Sequence, residues 1–253
     1  MKEVLDVYNE EGKPLNKTVL RGCKDEDFLP GEHFAVSIIF IENSKGEFLI
    51  QKVPKGYYTS TGGHIHSGET PDEAIIRETK EEIGIDISHE NYVSLGYRLL
   101  DFPLRFLYYL KKDIDIKDMA LEESEVSSVQ WMSVDEIYKL IDNYEMKRGH
   151  ALLFKEIMKY RYNKESLNDV FIKYKDKYEV AFLKDRYHYF KLKFNSINNK
   201  YKLVITDSEI ELYRKEHDIN KKKWNLINRV KNIKNYSELC DNIDMYISEY
   251  ERI

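Results

Sequence analysis

Gly63 to Ile85 reads GHIHSGETPDEAIIRETKEEIGI, and the rest of the chain is organised around it. Gly62, Gly63 and Gly68 mark backbone too tightly turned for side chains, and Thr70-Pro71-Asp72-Glu73 then announces a helix. Thr70 suits the N-cap, Pro71 the first helical position, and Glu73 closes a capping box. At about 100° per residue, Glu82 lies about 40° to one side of Glu78 and Glu81 about 60° to the other, so three carboxylates share a stripe. Ile76, Thr79 and Ile83 fall on another face, turned to the core. Like charges one turn apart repel by a few tenths of a kcal/mol per pair. Arg77 can offset part of that repulsion, and a hard divalent cation with oxygen ligands, Mg²⁺ or Mn²⁺, suits the remainder.

These residues resemble the Nudix hydrolase signature G-x5-E-x7-R-E-U-x-E-E-x-G-U, where U is a bulky apolar residue. Gly63, Glu69, Arg77, Glu78, Glu81, Glu82, Gly84 and Ile85 all fall in register, and Thr79 at the first U is the one departure. A solvated helix has no reason for this glycine frame and would intersperse lysines among its glutamates. The resemblance implies an α/β/α sandwich around a mixed sheet and hydrolysis of a pyrophosphate linkage in a nucleoside diphosphate derivative. It further implies Glu78, Glu81 and Glu82 as metal ligands, with Glu78 or Glu82 as the base and the Gly62 or Gly63 carbonyl completing the shell. Glu69 would support the site from its loop, and Arg77 would orient a glutamate. Family members often recruit a further carboxylate from a distant loop, for which Glu125 is the candidate, with Glu122 and Glu123 behind it. His64, Lys52 and Tyr58 are candidate substrate contacts; His33 reads as a structural histidine.

The DVYNEEGKPL start and the GEFLIQK-to-GGH passage are similar, more narrowly, to the branch that groups isopentenyl diphosphate isomerase with uncharacterised hydrolases. Gly62 stands where those isomerases carry a cysteine, and Val53 where many members carry an arginine. Isomerisation is therefore disfavoured. A ligand sensor on the same fold is the alternative to hydrolysis, although sensors tend to lose signature glutamates and none is lost here.

The 253 residues, 42% of them apolar, suffice for one large domain or two small ones. The formal charge of −5 is uneven: residues 1–161 hold 21 Lys and Arg against 30 Asp and Glu, and residues 162–253 hold 19 against 15. A boundary is expected there, with a Nudix domain over 1–161 and a small α+β accessory domain over 162–253. No apolar run reaches the roughly 18–20 residues of a membrane span and no signal-peptide stretch opens the chain, so a cytoplasmic protein is expected. Cys23 and Cys240 suggest neither a disulfide framework nor a zinc site.

Val4–Val7 and Thr18–Leu20 read as a hairpin, and HFAVSIIFI from His33 as a strand buried on both faces. Asn43–Gly46 turns the chain into EFLIQKV, a second hairpin. Tyr92–Leu100 and Phe102–Lys111 read as strands around Pro103, followed by an acidic loop and a short strand over Val126–Trp131. Ser133–Glu136 is another capping box, and Ala151–Tyr160 a further helix. Beyond 162, Leu167, Val170, Phe171 and Tyr174 suggest a short helix; Tyr187–Phe194, Tyr201–Thr206 and Glu209–Tyr213 suggest strands. Two closing helices are marked by Trp224, Ile227 and Val230, and by Tyr236, Leu239, Cys240, Ile243, Ile247 and Tyr250. Lys221–Lys223 beside Trp224 reads as a charged helix start, so no nucleic-acid partner is expected. The expected partner is a small phosphoanhydride, with a homodimer possible.

Overall fold

The computed structural model describes residues 2–100, 102–162, 178–182, 191–196, 201–206, 209–215, 224–231 and 236–250. The chain packs as two compact units, Met1–Met132 with Asn143–Leu153, and Ser133–Asp142 with Phe154–Ile253. The units interleave in sequence, whereas the composition suggested a single cut after residue 161.

In the first unit, β1 (Val4–Tyr8) and β2 (Pro14–Leu20) form the opening hairpin. The apolar run expected to be buried on both faces is β3 (His33–Glu42), and Ile38 to Ile41 are all buried. It is the hub of a mixed sheet. β3 pairs antiparallel with β1 and with β6 (Thr61–His64), and parallel with β8 (Leu104–Lys111) along its length from Ala35 to Glu42. β7 (Val93–Leu99) pairs with β8. The second hairpin forms only at its root: β4 (Phe48–Lys52) meets β3 at Glu42 and Phe48, then pairs with β5 (Tyr58–Thr59) and along its length with β9 (Ser128–Met132).

Helix α1 (Pro71–Ile83) starts where the sequence placed it, with Thr70 accepting from the Glu73 backbone and Glu73 answering in a complete capping box. It stops at Gly84, which is left-handed at φ 73°. A Cβ there would stand 2.8 Å from the backbone nitrogen of Ala120. Ile75 and Ile83 pack with Ile39, Ile41, Leu49, Ile87, Tyr108 and Leu110 in one cluster. At about 1.5–3 kcal/mol per fully buried aliphatic side chain, this cluster fixes the helix against the sheet. Thr79, at the irregular signature position, is fully buried and returns its hydroxyl to the Ile75 carbonyl at 2.6 Å. The hydroxyl is thus satisfied within the helix, and the methyl still packs.

The second unit holds α2 (Val134–Asp142), most of α3 (Arg148–Arg161), α4 (Tyr236–Tyr250), and an antiparallel meander of β10 (Tyr178–Phe182), β11 (Lys191–Ser196), β12 (Tyr201–Thr206), β13 (Glu209–Lys215) and β14 (Trp224–Lys231). The Ser133–Glu136 capping box is present, and Tyr138 meets Phe154 edge-on at 5.5 Å. One expectation is corrected: Trp224 to Val230 is strand β14, not a helix. Its backbone pairs with β13 from Glu209↔Lys231 to Lys215↔Trp224, with a bulge beside Leu212/Tyr213. The bulge shifts the alternation by one residue, so apolar residues at 224, 227 and 230 imitate a helical period. The expected helix at Leu167–Tyr174 and the start of the Tyr187–Phe194 strand lie outside the described residues.

Gly62 sits at φ 144°, and a Cβ there would collide with the Ser37 carbonyl and the Ile38 backbone. Strand β6 can lie against β3 only because this position has no side chain. Gly62→Ala is expected to lower the unfolding free energy by roughly 2–4 kcal/mol. An unchanged urea midpoint would show that β3 and β6 do not approach so closely.

Candidate active site

Helix α1 lays Glu78 and Glu82 across β6, and both carboxylates are buried although they are charged side chains. Room for them comes from the glycines: a Cβ on Gly63 would stand on the Glu78 carboxylate. The Gly62 backbone donates to Glu82 at 3.0 Å, and Gln51 of β4 donates to the same oxygen at 3.1 Å. The loop after the parallel strand supplies a third acid. Ala120 donates to the Ile83 carbonyl and Glu122 to the Glu82 carbonyl, while Ser127 donates to the Lys52 carbonyl on β4. Stapled at both ends, the loop brings exposed Glu125 to the helix. Oxygens of Glu78, Glu82 and Glu125 all lie within 4.8 Å of one another.

Arg77 binds the back of this cluster. Its Nε and Nη2 donate to the two oxygens of Glu69 at 2.8 and 2.9 Å, its Nη1 to Glu78 at 2.8 Å and Glu81 at 2.9 Å, and Nη2 also to the His64 carbonyl at 2.9 Å. Glu69 additionally accepts from the His66 backbone at 3.0 Å. Burial would push the Glu69 carboxyl up, but Arg77 and the His66 N–H outweigh it and hold the group below the usual carboxylate range. Glu69 therefore acts through Arg77. Glu81 turns to Arg77 with its side chain 59% exposed, against 9% for Glu78, and stands outside the three-acid cluster.

Burial, chiefly, raises Glu78, and lifts Glu82 to about 8, with neighbouring carboxylates adding to both. Crowded, desolvated carboxylates resist ionisation until a cation arrives. An all-oxygen donor set with this spacing fits a hard divalent ion, and the Gly63 position lines the same space.

The acids form one side of a cavity of about 590 Å³. His64, His66, Gly62 and Gly63 line it, and Glu122 does so beside Glu125. Burial, chiefly, takes His64 down to about 4, and its ring lies 5.4 Å from that of Phe34. Lys52 and Tyr58 instead face each other across β4 and β5, the ammonium 5.3 Å from the ring, and neither is among the residues lining this cavity. His33 is structural, its Nδ1 2.8 Å from the Phe102 carbonyl. Sequence reasoning passed over Gln51, Arg21, Arg105, Lys147 and His150. A glutamine inside the apolar strand FLIQK and an arginine among the aromatics of β8 were the available signals; Lys147 and His150 offered none.

Residues 31–154 match the NUDIX domain family. An uncharacterized Nudix hydrolase of Listeria innocua is 30% identical over 145 residues, 54% of this chain and 84% of the relative. The chain belongs to the Nudix hydrolase family. The pig asymmetrical bis(5′-nucleosyl)-tetraphosphatase is 29% identical over 126 residues, 45% of this chain and 84% of its own. Among solved structures, DR0079 of Deinococcus radiodurans is similar at 24% identity and a TM-score of 0.49, covering 58% of this chain and 93% of that one. By its family, the mixed sheet with its signature helix is a Nudix fold, and the chain is a pyrophosphohydrolase. No helix among the described residues is long and apolar enough to cross a membrane.

The isomerase alternative loses its nucleophile on steric grounds as well. The backbone at position 62 has no room for a side chain, and Cys23 does not line the cavity.

The raised Glu82 pKa has a measurable sign. The unfolded carboxyl ionises near its usual 4.5, whereas the folded one keeps its proton to about 8, so the stabilisation is full below 4.5 and is lost as pH rises towards 8. His64 and His150, held down to about 4 and about 3, act oppositely, but only below about 6.5, where the unfolded histidines still bind protons. Between about pH 6.5 and 8 the metal-free protein should therefore lose thermal stability, and Glu82→Gln should flatten the curve. A Tm in EDTA that climbs across this window would contradict the buried-acid assignment.

Proposed function

We propose that this Nudix hydrolase cleaves a pyrophosphate linkage in a nucleoside diphosphate derivative with the help of Mg²⁺ or Mn²⁺ held by Glu78 and Glu82. The observation that carries the reading is the convergence of Glu78, Glu82 and Glu125 over a cavity from two separate segments. The ion, when bound, neutralises phosphate oxygens and makes water a better nucleophile at neutral pH.

The chain's own groups divide the remaining work. Gln51 and the Gly62 N–H hold Glu82 in one rotamer, and Arg77 holds Glu78, so the ligands are oriented before substrate arrives. Water oxygen attacks one phosphorus, the bridging P–O bond breaks, and each fragment leaves with a phosphate. Glu125, the exposed member of the cluster, takes the proton from water, while buried Glu78 and Glu82 stay committed to the ion. Glu81 contributes through Arg77 rather than by ligation, which departs from the role the family pattern implied for it.

Glu82→Gln should lower kcat by about 100-fold or more while the protein stays folded, and should weaken Mn²⁺ binding in the absence of substrate. Glu125→Gln should lower kcat by about 100-fold or more yet leave Mn²⁺ affinity within a few-fold, because it removes a base and not a ligand. Glu81→Gln should be the mildest of the three. Turnover near wild type for Glu82→Gln on a panel of dinucleotides, nucleotide sugars and nucleoside triphosphates would refute the site.

A further inference from the structure

The cavity has a second wall that catalysis by the glutamates does not use. Arg105 of β8 and Lys147, just before α3, line it, with Arg21 from the end of β2 beside them. Arg105 is fixed rather than waving in solvent. Its Nη1 donates to the Leu100 carbonyl and, at 3.1 Å, to that of Pro103. The guanidinium lies against Gly149, so close that a Cβ there would stand 2.8 Å from Nε and 3.0 Å from Nη2. Gly149 is helical with no positive φ, so its missing side chain answers to the arginine and not to the backbone. Lys147 is lowered from its usual value, chiefly by burial and then by Arg105, so gathering these cations has a cost. Arg21 is partly neutralised by Glu3 at 2.5 Å. Cations that share one cavity with the acid cluster imply a ligand with more negative charge than the acids' ion alone can neutralise.

We propose that Arg105 and Lys147, with Arg21 in support, form a second anion subsite that holds the phosphates beyond the scissile linkage, so that the substrate carries three or more consecutive phosphates. The inference rests on the hydrolase reading for the word substrate, but the subsite itself does not depend on metal or turnover. A diphosphate bridge has few charges left for this wall once the ion is bound. A tri- or tetraphosphate reaches both walls and places its reacting phosphorus by its far end.

The test is calorimetric titration of the full chain in EDTA with inorganic tripolyphosphate, and with inorganic pyrophosphate for comparison. Tripolyphosphate should bind the more tightly, and Lys147→Ala should weaken it about tenfold. Gly149→Ala is a second probe: its methyl displaces the guanidinium with the charge intact, at the expense of the same two carbonyl contacts that Arg105→Ala removes. Gly149→Ala should keep a cooperative unfolding transition and weaken tripolyphosphate several-fold. Glu82→Gln should bind tripolyphosphate as tightly as wild type or more so. Equal affinity of wild type, Lys147→Ala and Gly149→Ala for tripolyphosphate would overturn the subsite, as would preference for pyrophosphate. Loss of turnover in Glu82→Gln would still stand in that case, so the two readings fail separately.

Discussion

Five hydrogen bonds converge on the guanidinium of Arg77, and the site exists because they do. A buried carboxylate next to another would fold protonated or not at all without a fixed partner. Arg77 gives Glu78 that partner from the adjacent residue, and ties Glu69 and the His64 carbonyl to the same point. The glycine loop and the helix thus share one charged bolt. Glu82, which Arg77 does not touch, is held by dipoles instead, from Gly62 and Gln51, and it is the acid burial raises to about 8. The two carboxylates are positioned by different physics, charge for one and amide donors for the other. On the proposed function, a cation would complete the second.

That arrangement needs two layers of backbone in contact. β6 runs against β3 with no side chain at Gly62, and Glu78 lies on β6 with none at Gly63. β3 in turn is held in place by parallel pairing with β8 over eight residues and by the isoleucine cluster under α1. The acids therefore stand over β6, which is backed by the buried strand β3. Rigidity there matters because metal ligands displaced by an ångström lose much of their value.

The site's first half was legible because it is local. One helix carries the acids, and its capping box, apolar face and terminal glycine all agree, so spacing alone placed Glu78 and Glu82 together. Spacing could not separate Glu81 from them, since all three share a stripe; the difference is that Arg77 reaches Glu81 one turn on and draws it to the rim. Glu125 was named ahead of Glu122 and Glu123, but as a loop acid with no local pattern to fix its place. What selects it is the pairing of that loop with α1 and β4, which no local pattern encodes. Lys52 and Tyr58 were placed by their nearness in sequence alone. They flank the glycine loop in sequence, yet strand pairing turns them toward each other. In the second unit a single bulge converted a strand into an apparent helix at Trp224.

The cationic wall shows most clearly why distance along the chain hides function. Arg21, Arg105 and Lys147 come from three segments more than forty residues apart in pairs, and each reads as an ordinary surface cation. Only Gly149 leaves a trace, as a helix glycine without a conformational reason. A glycine at a helical position where any side chain could adopt the backbone leaves room for what lies over it, and here that is a guanidinium. Opposite charges on two walls of one cavity would collapse onto each other if both were mobile. They do not, because Arg77 occupies three of the acids and backbone carbonyls hold Arg105 in place. The space between stays open to an anion that can satisfy both sides at once.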